Sequence, residues 1–158
     1  MAVLGSVYVV YAVASGAYDV AMAIGVERVA VNLVDARIPD NDGDQPVDVP
    51  SVPGAAPARF ATLPVKEIAR RIAAEGIPAE VSYSAGTFVC NHVFFTALEA
   101  AASGTRAGFV HVPWSAEHAP SSDAATLPLD DIARALEIAV RTSLETAEDP
   151  AIPGGTLH

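Results

Sequence analysis

Four apolar runs rich in β-branched residues recur along the chain: Val7-Tyr8-Val9-Val10-Tyr11, Val26 to Val34, Ala79 to Ser84 and Ala107 to Val112. Helix-forming segments lie between or after them, from Leu63 to Glu75, Asn91 to Ala102 and Leu129 to Thr146. Strands that read as near-continuous hydrophobic runs are buried on both faces, and alternating helices supply the cover. The chain is therefore predicted to be α/β, with a parallel or mixed sheet covered on both sides and the Val7–Tyr11 run as a central strand. At 158 residues it makes one domain, large enough to bury ~68–70% of its unfolded surface. Residues 1–149 are assigned to that domain, and Pro150 to His158, with two prolines and two glycines, to a flexible tail.

Charge and cysteine count narrow the function. A net charge of -10 disfavours nucleic acid and anionic membrane surfaces, which need clustered Lys and Arg. The apolar start, Met1 to Ala17, lacks a basic n-region and is short of the ~20 apolar residues of a spanning helix. A single cysteine excludes an internal disulfide, so a reducing cytoplasm suits the chain.

That cysteine lies in Val81-Ser82-Tyr83-Ser84-Ala85-Gly86-Thr87-Phe88-Val89-Cys90-Asn91-His92, where a strand pattern breaks at Gly86-Thr87 and a helical pattern begins. Cys90 is thus expected at a helix N-terminus, whose unpaired N–H groups and positive dipole end favour a thiolate. A lone cysteine is also a small buried hydrophobe in many proteins, and both readings stand on this stretch alone. A cysteine nucleophile needs a base and a group to orient that base. His111 and Glu27, each in a strand-like run near a loop, are the candidates; Glu27 falls at the start of its strand in this reading. A buried structural histidine and an exposed Glu27–Arg28 ion pair are the alternatives. Cys90, His92, His111 and His118 show no paired metal-ligand spacing, so no metal and no cofactor is expected. A Gly-x-Cys-x-Gly elbow does not fit either, since Gly86 precedes Cys90 by four and Val93 follows by three. The run Asp35 to Pro57, with five prolines and five aspartates, reads as a long loop of the kind that binds a ligand or covers a site.

The stretch Ser84 to Asn91 resembles the active-site cysteine motif of the pyroglutamyl peptidase I (pyrrolidone-carboxylate peptidase) family. Glu27-Arg28-Val29-Ala30-Val31-Asn32, Asp35-Ala36-Arg37-Ile38-Pro39-Asp40-Asn41 and Gly108-Phe109-Val110-His111-Val112-Pro113 resemble three further family segments in the family's order. The resemblance implies a three-layer α/β/α sandwich with a mostly parallel mixed sheet. It implies Cys90 as nucleophile, His111 as proton carrier, Glu27 as the orienting carboxylate and Arg37 on the oxyanion side. Ile38, Phe88 and Val89 resemble residues that line the pocket for the pyrrolidone ring. Peptides with N-terminal pyroglutamate are the implied substrates and a cytoplasmic homo-oligomer the implied state. The family's Gly-Phe-Glu-Pro-Phe-Gly-like N-terminal element has no counterpart here, so the domain is expected to be N-terminally truncated, with a more open pocket. The alternatives are a non-catalytic homologue acting as an oligomeric interaction protein and an unrelated α/β hydrolase with the same triad.

Overall fold

A computed structural model describes residues 7–13, as backbone, and residues 23–154. Strands β1 (Val7–Val13), β2 (Ile24–Glu27), β5 (Ala79–Ser82) and β6 (Arg106–Val112) form one sheet in the order β1-β6-β2-β5. Pairings β1–β6 and β2–β5 are parallel, whereas β2–β6 is antiparallel, so the sheet is mixed as expected. β1 lies at one end of that order rather than in its centre. Two small ribbons flank it: β3 (Val29–Val31) with β4 (Ala58–Phe60), and β7 (Trp114–Ser115) with β8 (Thr126–Leu127). The break that the sequence places at Ala14-Ser15-Gly16 lies outside the described residues, as does most of Ala17 to Ile24, which reads as a helix turn or an irregular insert; Ile24 itself opens β2.

Side-chain alternation along β6 separates the layers. Arg106 and Gly108 face helices α1 (Val65–Ala74) and α3 (Leu129–Glu145): an Arg106 guanidinium nitrogen donates to the carbonyls of Ser143 and Thr146 at the end of α3. A Cβ on Gly108 would lie 2.3 Å from Cδ1 of Leu63, just before α1, so the strand and the start of that helix pack backbone-close. Phe109 and His111 face the other way, toward α2 (Val89–Ala100), and the Phe94 and Phe109 rings stand 5.7 Å apart. The result is the three-layer α/β/α arrangement. Phe94, Phe95 and Phe109 are completely buried. At ~1.5–3 kcal/mol each, they hold α2 on the sheet far more firmly than its intrinsic propensity could.

α1 buries Val65, Ile68, Ala69 and Ile72 on one stripe and stops at Gly76, whose φ of +81° suits glycine. No side chain at its own start caps it. The cap comes instead from Asp149, whose carboxylate accepts the N–H groups of Lys66 and Glu67 at 3.0 and 3.1 Å and also pairs with Arg28 at 3.3 Å. Beyond it, Ile152 O accepts Lys66 Nζ and Gly154 O accepts the Tyr83 hydroxyl, so the segment expected to be loose runs against α1 as far as Gly154. In α3 the core stripe is Ile132, Ala135, Ile138, Ala139, Thr142 and Ser143. Val140, which apolar spacing with Ile132, Leu136 and Ala139 would put inside, is exposed, because small polar residues occupy the inward face. Among the described residues, no helix is long and apolar enough to cross a membrane.

Candidate functional site

The strand expected over Val26 to Val34 is two strands. β2 ends at Glu27, Arg28 donates its N–H to Ser82 O, and the chain leaves the sheet to pair as β3 with β4. Glu27 is therefore the last residue of β2, not the first of a longer strand. It lies beside Gly25, which pairs with His111 across the β2–β6 ladder. Gly25, Glu27, Ser82 and His111 share one face: a Cβ on Gly25 would meet His111 Cβ at 3.6 Å and Glu27 Oε1 at 3.8 Å.

Glu27 is 2% exposed, and its Oε1 accepts a 2.7 Å hydrogen bond from His111 Nδ1. Its second oxygen, Oε2, is buried without a hydrogen-bond partner among the described residues. A buried carboxylate left alone is costly, so the imidazole is what makes this position tenable. The Phe109 ring meets His111 edge-on at 5.0 Å and closes its flank. Cys90 approaches His111 from α2, the layer that His111 faces. It is half-buried in the first turn of α2, among the four N–H groups that have no partner within the helix. Burial by itself pulls the imidazole pKa down; hydrogen bonds with Cys90 and Glu27, and electrostatic interaction with both, outweigh it and raise the value from 6.5 to about 9. Nδ1 is engaged with Glu27, which leaves Nε2 for Cys90. The carboxylate-bound imidazole thus also interacts with a thiol, the kind of contact that can activate a nucleophile.

The long loop reaches the same end of the sheet. Asp35 donates its N–H to Thr87 O at 2.7 Å, three residues before Cys90, so Arg37 and Ile38 leave the fold beside the Thr87–Val89 segment. Arg37 is exposed, Ile38 and Val89 are 61% and 55% exposed, and Phe88 is half-buried. Asn32 ties the base of this loop, donating to Val52 O and Ala55 O and accepting from Val52 N. His92, which the sequence offers as a packing or hydrogen-bonding residue, has a buried Nδ1 without a hydrogen-bond partner among the described residues, and His118 bonds Ser115 Oγ at 2.8 Å. A groove of about 280 Å³ lies between α1 and α3, on the other side of the sheet, and includes none of these residues.

Asn91 is not singled out by the sequence reading, yet its buried side chain makes three hydrogen bonds. It is 1% exposed, accepts from Val31 N at 2.9 Å, and donates to Val31 O and Leu33 O at 2.8 and 3.0 Å. The signal was present: Asn91 stands three, four and seven residues before Phe94, Phe95 and Leu98, so helical spacing puts it on the core face.

Residues 5–146 match the family model described as pyroglutamyl peptidase. Pyrrolidone-carboxylate peptidase of Chromobacterium violaceum is 48% identical over 150 residues, covering 89% of this chain and 70% of its own length. The enzyme of that name from Clavibacter michiganensis is 47% identical over 134 residues, and the one from Bacillus subtilis 46% over 140. This chain spans 63% and 65% of their respective lengths. In structure, pyroglutamyl peptidase I of Bacillus amyloliquefaciens superposes with a TM-score of 0.81 at 41% identity, covering 92% of this chain and 70% of that one. Pyrrolidone carboxyl peptidase of Thermococcus litoralis gives 0.79 at 37%, covering 93% and 70%.

Proposed function

Because this chain belongs to the pyroglutamyl peptidase family, we propose that it is a cysteine exopeptidase that removes N-terminal pyroglutamate from peptides, with Cys90, His111 and Glu27 as its catalytic groups. The observation that carries this reading is the imidazole held between a buried carboxylate, at 2.7 Å, and the only thiol in the chain.

In the proposed reaction the Cys90 thiolate attacks the carbonyl carbon of the pyroglutamyl residue. Charge collects on the carbonyl oxygen, where the Cys90 backbone N–H and the Arg37 guanidinium would stabilise it. The C–N bond then breaks as protonated His111 gives its Nε2 proton to the leaving amine, and a thioester remains. Neutral His111 next takes a proton from water, the hydroxide attacks the thioester, the C–S bond breaks, and pyroglutamic acid leaves with thiolate and imidazolium restored. Glu27 keeps the imidazole in the tautomer and orientation both steps need. Ile38, Phe88 and Val89 offer apolar surface for the flat lactam ring.

The same reading makes residues 1–149 one peptidase domain and the protein a cytoplasmic homo-oligomer, which light scattering of the purified protein checks. Hydrolysis of a pyroglutamyl-linked fluorogenic amide tests the activity. Turnover should be lost in Cys90→Ser, by ~10³-fold or more in kcat. A folded wild type with no Cys90-dependent turnover would return the chain to the non-catalytic, interaction-protein alternative.

A further inference from the structure

We propose that Asn91 is a positioning residue: its buried amide fixes the first turn of α2, and with it the Cys90 thiol, against the segment that continues from Glu27. Both backbone groups of Val31 are taken by this one side chain. Among the described residues β3 pairs with β4 on one edge only, and Asn91 stands where a further strand would hydrogen-bond the other edge. A third bond, to Leu33 O, adds the start of the loop that leads to Arg37.

This contact is register-specific, whereas apolar packing is not. Phe94 and Phe95 hold the middle of α2 on the sheet but leave its first turn free to slide or rotate. That turn has no side-chain cap and no acidic residue to fix it. Besides Asn91, the Asp35 N–H to Thr87 O bond and the Thr87 hydroxyl to Asp35 O bond tie across to the β3 side. Three geometry-dependent bonds from one buried amide to one strand end hold a helix terminus in one place, because a shift of one residue would leave that amide unpaired. Cys90 is the next residue, and what it must meet, His111, is fixed independently by Glu27 from β2 and by Phe109 from β6.

The kinetic part of the test rests on the peptidase reading above; the rest does not. Asn91→Ala and the milder Asn91→Ser are compared with Ile68→Val, which lies on the α1 face and serves as a variant that loses stability only. Three quantities are read: kcat and KM on a pyroglutamyl amide, the rate of Cys90 alkylation by iodoacetamide at pH 7, and the His111 titration midpoint by NMR. In the Asn91 variants kcat should fall by ~10–100-fold with KM changed less than ~3-fold, as expected for misplacement on the order of 1 Å. Alkylation should change several-fold, and the His111 midpoint should drop below its starting value of about 9 as the Cys90 hydrogen bond weakens. Ile68→Val should change none of these. Asn91 variants with a lowered Tm but wild-type kcat, alkylation rate and His111 midpoint would overturn the proposal, and so would failure of both to fold, since the role would then belong to the whole fold. If the wild type lacks turnover, the peptidase reading fails, and the alkylation and titration measurements still decide the role of Asn91.

Discussion

The two faces of the sheet handle charge in opposite ways. On the α1/α3 face the buried polar groups are neutral hydroxyls, Thr142 and Ser143, and the ion pairs sit at the rim: Glu67 between Arg70 and Arg71, Arg71 with Glu145, Arg134 with Glu75. On the α2 face the polar groups are inside, with Glu27, Asn91 and His111 buried or nearly so among phenylalanines. Rim pairs are screened by water and each contributes a few tenths of a kcal/mol, whereas buried groups must find partners or destabilise the fold by several. One face serves stability, and the other carries a constellation that a purely structural layer would not need.

The contrast extends to pH. The folded pKa of His111, about 9, lies above its ordinary 6.5, so its stabilising contribution is complete below pH 6.5 and is lost as pH rises through 9. Hydrogen bonds from Arg70 and Arg71 lower the Glu67 pKa from 4.5 to about 2, so its contribution is complete above pH 4.5 and is lost as pH falls through 2. The His111 face thus loses stability toward alkaline pH and the Glu67 face toward acid.

Glu27→Gln should break this contrast most. It removes the charge that faces the imidazole, so kcat should fall by on the order of 10²-fold or more, and the alkaline limb of kcat/KM should move from near pH 9 toward 6.5. Melting curves between pH 6 and 10 should lose their alkaline slope, while those between pH 2 and 5 keep the wild-type shape. An unchanged alkaline limb would mean that the 2.7 Å contact does not govern the imidazole.

Gly108→Ala acts on the other face. The new methyl would overlap Leu63 and force the start of α1 outward, destabilising by ~1–3 kcal/mol, with the His111 titration unmoved. Asp149→Ala should cost ~1–2 kcal/mol through loss of the α1 cap and leave kcat unchanged, as denaturant melts and the amide assay would record together. Glu67→Gln should be smallest, a few tenths of a kcal/mol at pH 7, with a flatter acid limb as its signature.

The sequence reads well where local signals and tertiary demands agree. The Gly86-Thr87 break and the apolar helix after it put Cys90 in the first turn of α2, and the Phe109-Val110-His111-Val112 run is a strand. It misleads where pairing changes without a local cue. Nothing in Glu27-Arg28-Val29-Ala30-Val31 interrupts the strand pattern, because the break comes from Ser82 O capturing the Arg28 N–H and from β4 capturing β3. Hence Glu27 proves to be a strand-end residue, at the side where α/β sheets collect their sites. Val140 was misplaced for a related reason. Counting apolar residues alone rotates the stripe of α3 away from Thr142 and Ser143, which are small enough to be wholly buried. The role of Asp149 was illegible, since a cap supplied from 83 residues away leaves no local trace.

That separation has a consequence for how the protein is made. α1 emerges from the ribosome with its first turn uncapped and stays so until synthesis reaches Asp149, which at 5–20 residues per second takes roughly 4–17 s. Its inward face, Ile68 and Ile72, also waits for α3, which is completed only just before. During that interval the nascent chain presents a greasy, half-formed helix to solvent, open to chaperones and proteases until α3 and Asp149 arrive.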